Sequence, residues 1–275
     1  MQMKRITSRT NPTVLWAASL SEKKYREEHR AFLLEGSKLV LEAITERLPV
    51  SALFFAEGKI DAVMESVRAA GLEDVLSSYE LYLLSDHVFE KISTEKAPQG
   101  VIAVVKYLDF FERCITIIPE KVAGRALFLC SVRDPGNLGA IIRSAVAFGT
   151  ETLILSDDCA DLYNPRTLRA AMGSLFKVRA VSVSNVESSV KALQKSDRRV
   201  LAAELREHAL PLTELHVRPD DIFMIGNEGH GIPSAVSAAC DAAVYIPIRQ
   251  NVESLNASVA ASVLLWEQMR SFDRR

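Results

Sequence analysis

The sequence has few cysteines and no long hydrophobic run, and these absences exclude several classes of protein. Its four cysteines, Cys114, Cys130, Cys159 and Cys240, are widely spaced, a pattern that indicates neither a zinc site nor a disulfide framework. The longest apolar window, Ala257 to Trp266, is about half as long as a membrane-spanning helix requires. The basic N-terminus has no apolar stretch behind it, unlike a secretory signal. We therefore expect a cytoplasmic protein with reduced cysteines and with neither a membrane nor a metal as partner.

The chain also lacks an excess of positive charge. It carries 33 Lys and Arg against 35 Asp and Glu, a formal net charge of −2. Any contact with nucleic acid must therefore come from local clusters. The N-terminal segment is one such cluster, in which three glutamates accompany seven basic residues: Lys4, Arg5, Arg9, Lys23, Lys24, Arg26 and Arg30. Two interpretations stay open, attraction of phosphate groups and the solvated face of a helix with internal ion pairs.

Two domains are predicted from the 275 residues. The first part alternates apolar runs at 31–35, 52–56, 82–84 and 101–105 with helical patterns near 38–47 and 62–70, which is typical of a small α/β domain at 1–107. Between Tyr107 and Gly124 the pattern loses its period, which predicts a linker at 108–124. From residue 125 to 275 strands and helices alternate again. This second part predicts a mostly parallel sheet covered by helices, with ligands bound by loops at the carboxyl ends of its strands.

The first informative loop runs from Asp134 to Arg143, where a Pro-Gly turn leads from a strand into a helix. Asn137 suits the cap of that helix, and free N–H groups at a helix start attract anions. A plain cap with a solvated Arg143 is the alternative. Gly136 and Gly139 do not have the spacing of a dinucleotide-binding motif.

Two further loops follow buried strands. The loop at 223–233 contains Gly226, Gly229 and Gly231, a density that indicates tight turning or close approach to a ligand. Within it Glu228 either accepts hydrogen bonds or stays solvated, and His230 is typical of a surface residue. The loop at 246–258 leads into the last helix, and both Ser254 and Asn256 suit a helix start. No His or Asp at triad spacing supports Ser254 as a nucleophile.

The order of these loops carries more information than any one of them. The patterns NxGxxxR at Asn137–Arg143, GNEGxG at Gly226–Gly231 and IP…SLN at Ile246–Asn256 resemble the three motifs of the SpoU/TrmH family of RNA ribose methyltransferases, in the SPOUT superfamily. The resemblance covers 125–275. The preceding domain at 1–107 resembles the ribosomal-protein-like domain that binds the RNA substrate in such enzymes.

The resemblance implies a fold, a cofactor and a set of site residues. The implied fold is an α/β sheet with a C-terminal trefoil knot, and the implied assembly is a homodimer through the C-terminal domain. S-adenosylmethionine is the methyl donor, held by backbone groups at Gly226, Ile246 and Leu255, and a bulkier residue at Gly226 would occupy the space of the adenosine. Arg143 matches the catalytic arginine, and the supporting polar positions are Asn137, Glu228, Ser254 and Asn256. Because a guanidinium is a poor base, we expect Arg143 to bind the 3′ phosphate and stabilise charge on the attacking oxygen.

The resemblance leaves some sequence features unexplained. Many relatives carry a glycine between the IP and SLN elements, whereas this chain has Arg249, Gln250 and Asn251, so the loop either has another shape or contacts RNA through Arg249. A second basic cluster, Arg166 and Arg169 with Lys177 and Arg179 nearby, either guides RNA or covers the sheet.

We therefore expect a methyltransferase acting on a ribose 2′-hydroxyl of RNA, with rRNA favoured over tRNA. The alternatives are a non-catalytic RNA-binding or ribosome-assembly protein that retains the fold, and an enzyme that methylates a base nitrogen or a small molecule.

Overall fold

A computed structural model describes residues 3–249, 251–252 and 254–272. The chain forms two compact units. The first unit holds the described residues up to Leu108 together with Tyr163–Phe176, and the second holds Asp109–Leu162 and the described residues from Lys177 onward. Every helix in these described ranges is too short or too polar to cross a lipid bilayer.

The N-terminal part of the chain contains strands β1 to β5 and helices α1 to α6. In chain order they are β1 (Lys4–Ile6), α1 (Pro12–Ser19), α2 (Lys23–His29), β2 (Ala31–Glu35), α3 (Ser37–Thr45), β3 (Val50–Ala56), α4 (Ile60–Ala69), α5 (Glu73–Leu76), β4 (Glu80–Leu84), α6 (Asp86–Ile92) and β5 (Val101–Lys106).

The remainder of the chain contains strands β6 to β13 and helices α7 to α11. These are β6 (Phe111–Cys114), β7 (Arg125–Leu129), α7 (Pro135–Ala147), β8 (Thr150–Ser156), α8 (Pro165–Ala171), β9 (Arg179–Val183), α9 (Val186–Lys195), β10 (Val200–Ala203), β11 (Leu210–Pro211), β12 (Ile222–Ile225), α10 (Ser234–Ala239), β13 (Ala242–Tyr245) and α11 (Ala257–Phe272).

The first unit is built on a mixed sheet with the strand order β1-β4-β3-β5-β2. Strands β1, β4 and β3 run parallel, and β5 pairs antiparallel with both β3 and β2. The residues of β5 from Val101 to Val105 are all buried, which explains why this strand reads as a continuous apolar run.

The second unit is built on a parallel sheet with the strand order β11-β13-β10-β12-β7-β8-β9-β6. Strands β7 and β12 lie side by side in its middle, and the four residues of β12 are buried. The prediction of an α/β fold with a mostly parallel sheet in the C-terminal part is therefore confirmed.

The predicted linker at 108–124 contains regular structure. Strand β6 lies within it and pairs with β9 at the edge of the second sheet. Its sequence, Phe111 to Cys114, includes two charged residues, as is common for edge strands, and this hides the strand from a search for apolar runs. Residues 109–124 thus belong to the second unit.

The predicted domain at 125–275 is also interrupted, because residues 163–176 cluster with the first unit. The ring of Tyr163 stacks on Phe32, with 4.4 Å between ring centroids, and on Tyr107 at 4.3 Å. Its hydroxyl accepts a hydrogen bond of 3.1 Å from the backbone nitrogen of Leu108. Aromatic burial of this kind favours the packing of α8 on the first sheet.

The basic cluster near the N-terminus is smaller than the sequence predicts. Arg26 is buried, and its guanidinium donates to the carbonyl oxygens of Leu20 at 2.9 Å and Ser21 at 2.7 Å. Arg5 pairs with Glu57 at 2.7 Å. Arg26 therefore stabilises the chain ahead of α2 and is unavailable to RNA, whereas exposed basic residues remain at Lys4, Arg9, Lys23 and Lys24.

Candidate active site

The candidate site is formed by three loops of the second unit. These loops follow β7, β12 and β13, and all three strands belong to one parallel sheet. The carboxyl ends of parallel strands meet at the same edge of a sheet, where α/β proteins bind ligands. The sequence motifs at 137–143, 226–231 and 246–256 are therefore brought to one edge.

The first loop ends at a capped helix. The side chain of Asp134 accepts a hydrogen bond of 2.8 Å from the backbone nitrogen of Asn137, and Pro135 occupies the first helical position. The sequence predicts Asn137 as the cap, and this is wrong, because the cap is Asp134, three residues earlier. Because Asp134 satisfies the helix end, the carboxamide of Asn137 is left to make other contacts.

Asn137 joins all three loops. Its nitrogen Nδ2 donates to a carboxylate oxygen of Glu228 at 2.8 Å, and its oxygen Oδ1 accepts from Nδ2 of Asn256 at 3.0 Å. The other side-chain atom of Asn256, Oδ1, accepts from the backbone nitrogen of Ser258 at 2.9 Å and so caps α11. Three of the predicted site residues thus form one chain of side-chain hydrogen bonds.

Two other predicted residues lie outside this chain of hydrogen bonds. Arg143 is exposed on α7, six residues beyond Asn137, and its guanidinium has no hydrogen bond or ion pair with any described residue. Ser254 is also exposed and precedes Asn256 by two residues. A cation without an internal partner is available to an external anion.

Gly226 begins a tight loop. The backbone groups of Asn227 and Gly231 exchange two hydrogen bonds, of 3.0 and 2.9 Å. A Cβ atom on Gly226 would lie 2.5 Å from the carbonyl carbon of Gly231 and 2.7 Å from the nitrogen of Ile232. The loop's own backbone therefore requires glycine here, independently of the space that an adenosine would take.

A second network, which the sequence does not reveal, holds this glycine loop. Asn227 donates through Nδ2 to the carbonyl oxygen of Ser131 at 2.8 Å, and its Oδ1 accepts from the backbone nitrogens of Gly229 and His230. Ser131 itself has a φ of 58°, unusual for a residue other than glycine. The network appears only in three dimensions because Asn227 and Ser131 are 96 positions apart.

Asp158 stabilises the unusual backbone at Ser131. Its carboxylate accepts from the hydroxyls of Ser131 at 2.7 Å and Ser156 at 2.6 Å, and from Arg133 at 2.9 Å. Burial acts to raise the pKa of Asp158, but these hydrogen bonds outweigh it and lower the pKa below its ordinary value. A charged Asp158 therefore supports the loops after β7 and β12.

A cavity of about 550 Å³ opens beside the third loop. Among its lining residues are two of the three predicted donor-binding positions, Ile246 and Leu255, together with Ser254. Gly226 lies outside its described lining. Such a volume is typical of a pocket for a small molecule or cofactor.

The third loop departs from the family pattern at residues 249–251, where many relatives carry a glycine, and part of this stretch lies at the cavity. Arg249 lines it, whereas Gln250 lies outside the described residues. Strand β13 ends at Tyr245, and Pro247, two residues further on, has no N–H to donate to a neighbouring strand. Within the part of the chain that the structure describes, no group of three or more His, Cys, Asp and Glu residues could hold a metal ion.

Comparison with known protein families matches both parts of the chain. Residues 124–266 match the model of the SpoU rRNA Methylase family, and residues 11–103 match that of the MRM3-like substrate binding domain.

Individual relatives match along nearly the whole chain. The 23S rRNA (guanosine(2553)-2′-O)-methyltransferase RlmP of Bacillus subtilis (strain 168) is 31% identical, covering 96% of this chain and 98% of its own. The 23S rRNA (uridine(2479)-2′-O)-methyltransferase of Streptomyces viridochromogenes is 30% identical, with 97% and 92% covered. A crystal structure of an AdoMet-bound rRNA methyltransferase from Sinorhizobium meliloti superposes with a TM-score of 0.79 at 28% identity, covering 99% of both chains. The chain therefore belongs to the SpoU rRNA methylase family.

Proposed function

We propose that this protein transfers a methyl group from S-adenosylmethionine to a ribose 2′-hydroxyl of rRNA. The observation that carries the proposal is the contact of Asn137 with both Glu228 and Asn256, which unites the three family motifs, the third of which lines the cavity. The relatives from Bacillus subtilis and Streptomyces viridochromogenes are both named as 2′-O-methyltransferases of 23S rRNA. A protein that had lost catalysis would be free to lose this arrangement.

The cavity fits the proposed cofactor. Its volume of about 550 Å³ is adequate for a nucleoside with an amino-acid tail, and most of its lining is apolar, including Ile246, Leu255 and Leu264. Backbone groups of the loops at Ile246 and Leu255 would hold the adenosine, and Gly226 keeps the neighbouring loop closed. When bound, S-adenosylmethionine supplies an electrophilic methyl group on its sulfonium sulfur.

The chain's own residues then have to orient the RNA. The guanidinium of Arg143, which has no partner among the described residues, binds the phosphate 3′ to the target ribose and stabilises negative charge that develops on the 2′ oxygen. Arg143 would hold the 2′ oxygen as its hydroxyl proton leaves to solvent, and S-adenosylmethionine, when bound, would supply the methyl group that this oxygen receives. Asn137, Glu228 and Asn256 hold the three loops together around the reacting ribose, and the exposed Ser254 is a further supporting polar residue beside them.

RNA binding is assigned to the first unit. Its match to a substrate binding domain and its exposed basic residues, Lys4, Arg9, Lys23 and Lys24, support this assignment. The names of the relatives favour rRNA over tRNA as the substrate. The expectation of a cytoplasmic location stays a prediction.

We also propose a homodimer and a trefoil knot. Val259 and Trp266 are about half exposed on α11, and because they are seven residues apart they share one helix face that a second copy could cover. The knot is supported by the chain's route. After β10 the chain adds β12 on one side of that strand and β13 on the other, and then returns through α11 to contact α7.

The test is transfer of labelled methyl to cellular RNA that lacks this modification, separated into tRNA and rRNA before digestion to nucleosides. We expect label in a 2′-O-methyl nucleoside of the rRNA fraction. Label in the tRNA fraction would mean that the substrate is tRNA. A labelled methyl group on a base would mean that the enzyme methylates a base and not a ribose hydroxyl. Tight RNA binding without label in either fraction would favour the assembly-protein alternative.

A further inference from the structure

We propose that the carboxylate of Glu204 binds the ribose hydroxyls of the methyl donor's adenosine. This inference rests on the proposed function, because it takes the cavity of the second unit as the donor site. Glu204 directly follows β10, the strand between β12 and β13, and its backbone nitrogen donates to the carbonyl oxygen of Val244 at 3.0 Å. It therefore stands at the carboxyl edge of the sheet, next to the loop that follows β13.

One oxygen of this carboxylate is held in place by two neighbours. Oε1 accepts a hydrogen bond from the hydroxyl of Ser237 and lies 3.4 Å from Nε of Arg206. Arg206 in turn donates to the Ser237 hydroxyl at 2.7 Å, which closes a three-membered cluster. The side chain of Glu204 is only 19% exposed, so its position is set by these contacts rather than by solvent.

The other oxygen remains available. Oε2 of Glu204 has no hydrogen-bond or ion-pair partner among the residues that the structure describes, although the residue lines the cavity. A carboxylate only accepts hydrogen bonds, so a ligand that covers this oxygen must bring a donor. Covering it without a donor would leave a charged group unsatisfied, which disfavours binding.

The charge around Glu204 indicates which donor suits it. Its negative charge is already balanced by Arg206, so the site does not require a cationic group from the ligand. The remaining walls near it, Ala203, Leu205 and Val244, are apolar. The carboxylate of Glu204 is held in place and its charge is balanced, so a pair of neutral hydroxyls is a suitable donor. Acidic side chains bind ribose hydroxyls in this way in dinucleotide sites. The ammonium group of the donor's amino-acid tail is the competing ligand atom.

Calorimetric binding of two cofactor fragments separates these possibilities. S-adenosylhomocysteine carries both the ribose and the amino-acid tail, whereas 5′-methylthioadenosine carries the ribose but lacks the amino-acid tail. We expect Glu204→Gln to weaken the binding of both by at least about tenfold, since a charge-assisted hydrogen bond is lost. The matched control is Glu207→Gln, three residues further along and 89% exposed, which should bind both fragments like the unchanged protein.

A ligand-side experiment keeps the test independent of folding. The 2′-deoxy form of 5′-methylthioadenosine should bind the unchanged protein at least about tenfold more weakly, and this difference should vanish in Glu204→Gln. Equal affinities of the unchanged protein and the variant would overturn the inference. The inference would also be overturned if Glu204→Gln bound S-adenosylhomocysteine more weakly but 5′-methylthioadenosine normally, because the carboxylate would then contact the ammonium group. If the unchanged protein bound neither fragment, the proposed function itself would fail.

Discussion

The side-chain nitrogen of Asn256 donates to the side-chain oxygen of Asn137 across 3.0 Å, although 119 positions separate them. This contact joins the cap of α11 to the first turn of α7. Two more contacts follow in the same order along both helices, Ser144 with Ser262 at 2.8 Å and Phe148 with Trp266 at 5.9 Å between ring centroids. The two helices therefore lie side by side and run parallel, which fixes the third motif against the first.

Removing the Asn137 side chain should disconnect the three loops. We expect Asn137→Ala to lower the free energy of unfolding by about 1–2 kcal/mol, for two modest hydrogen bonds, and to reduce methyl transfer far more strongly. Chemical denaturation and single-turnover transfer measure the two effects. Asn185→Ala is the control, because Asn185 caps α9 with a bond of 2.9 Å to the nitrogen of Ser188. It should cost similar stability and leave transfer intact; equal losses of transfer in both variants would remove the special role of Asn137.

Arg143→Ala should reduce the rate of methyl transfer at least about a hundredfold, the usual effect of losing an electrostatic catalytic group. Stability and binding of S-adenosylhomocysteine should stay unchanged, because the guanidinium has no described partner to lose. Lys191→Ala removes another exposed cation from a helix of the same unit and should have no effect on transfer. Near-normal transfer by the Arg143 variant would exclude the assigned role.

Replacement by alanine should affect stability differently at two glycines of the same loop, Gly226 and Gly229. Gly226→Ala would place a methyl group 2.5 Å from the carbonyl carbon of Gly231, so the loop must shift. We expect a loss of about 1–3 kcal/mol in the free energy of unfolding, with weaker cofactor binding. Gly229→Ala should be tolerated, since the new atom would lie 3.6 Å from the nearest neighbour, Oδ1 of Asn227. Comparable denaturation midpoints for both variants would contradict the close approach at Gly226.

Trp266→Glu should convert the proposed homodimer to a monomer in sedimentation experiments. The side chain is 50% exposed on α11, and a carboxylate there would have to be desolvated in an apolar interface. Leu15→Glu changes an apolar residue of the first unit that is 44% exposed and should leave the dimer unchanged. A dimer that persists with Glu at position 266 would place the interface elsewhere.

Two buried thiols should make stability depend on alkaline pH. Burial, with a smaller contribution from Cys159, raises the pKa of Cys130 to about 11; burial, followed by the negative charge of Glu204, raises that of Cys240 to about 12. The unfolded chain releases these protons near pH 9. The stabilisation is therefore complete below about pH 9 and is lost above it, by about 1.4 kcal/mol per pH unit for each thiol, until the folded pKa is reached.

Urea unfolding at pH 8, 9 and 10 measures this dependence. The unchanged protein should lose more stability between pH 9 and 10 than a variant with both Cys130→Ala and Cys240→Ala. Identical slopes for the two proteins would mean that these thiols titrate normally in the folded state.

Much of the fold follows from apolar periodicity. Strand β9 and helix α9 can be recognised in the sequence, because each has a clear apolar pattern and a polar boundary. Strands β1 and β11, of three and two residues, carry too few apolar residues to show a pattern. Short edge strands depend on the neighbour that they pair with, which a single sequence does not display.

The site was predictable only in part. The motifs identified Asn137, Glu228 and Asn256, which the structure joins, because each motif has its own residue spacing. The supporting residues Ser131 and Asp158 have no spacing signal, since they act through contacts made after folding. Glu204 is similarly hidden, because only the sheet order brings β10 beside β13.

The stacking of Tyr163 on Phe32 and Tyr107 bears on how such proteins could be recombined. The N-terminal unit is discontinuous, since it is completed by a segment that the chain supplies more than fifty positions later. A gene fragment that stops at Leu108 would encode a sheet with the ring of Phe32 left uncovered. Exchange of the N-terminal unit between relatives would therefore require two crossovers, so that the helix at Pro165–Ala171 is inherited with the surface on which it packs.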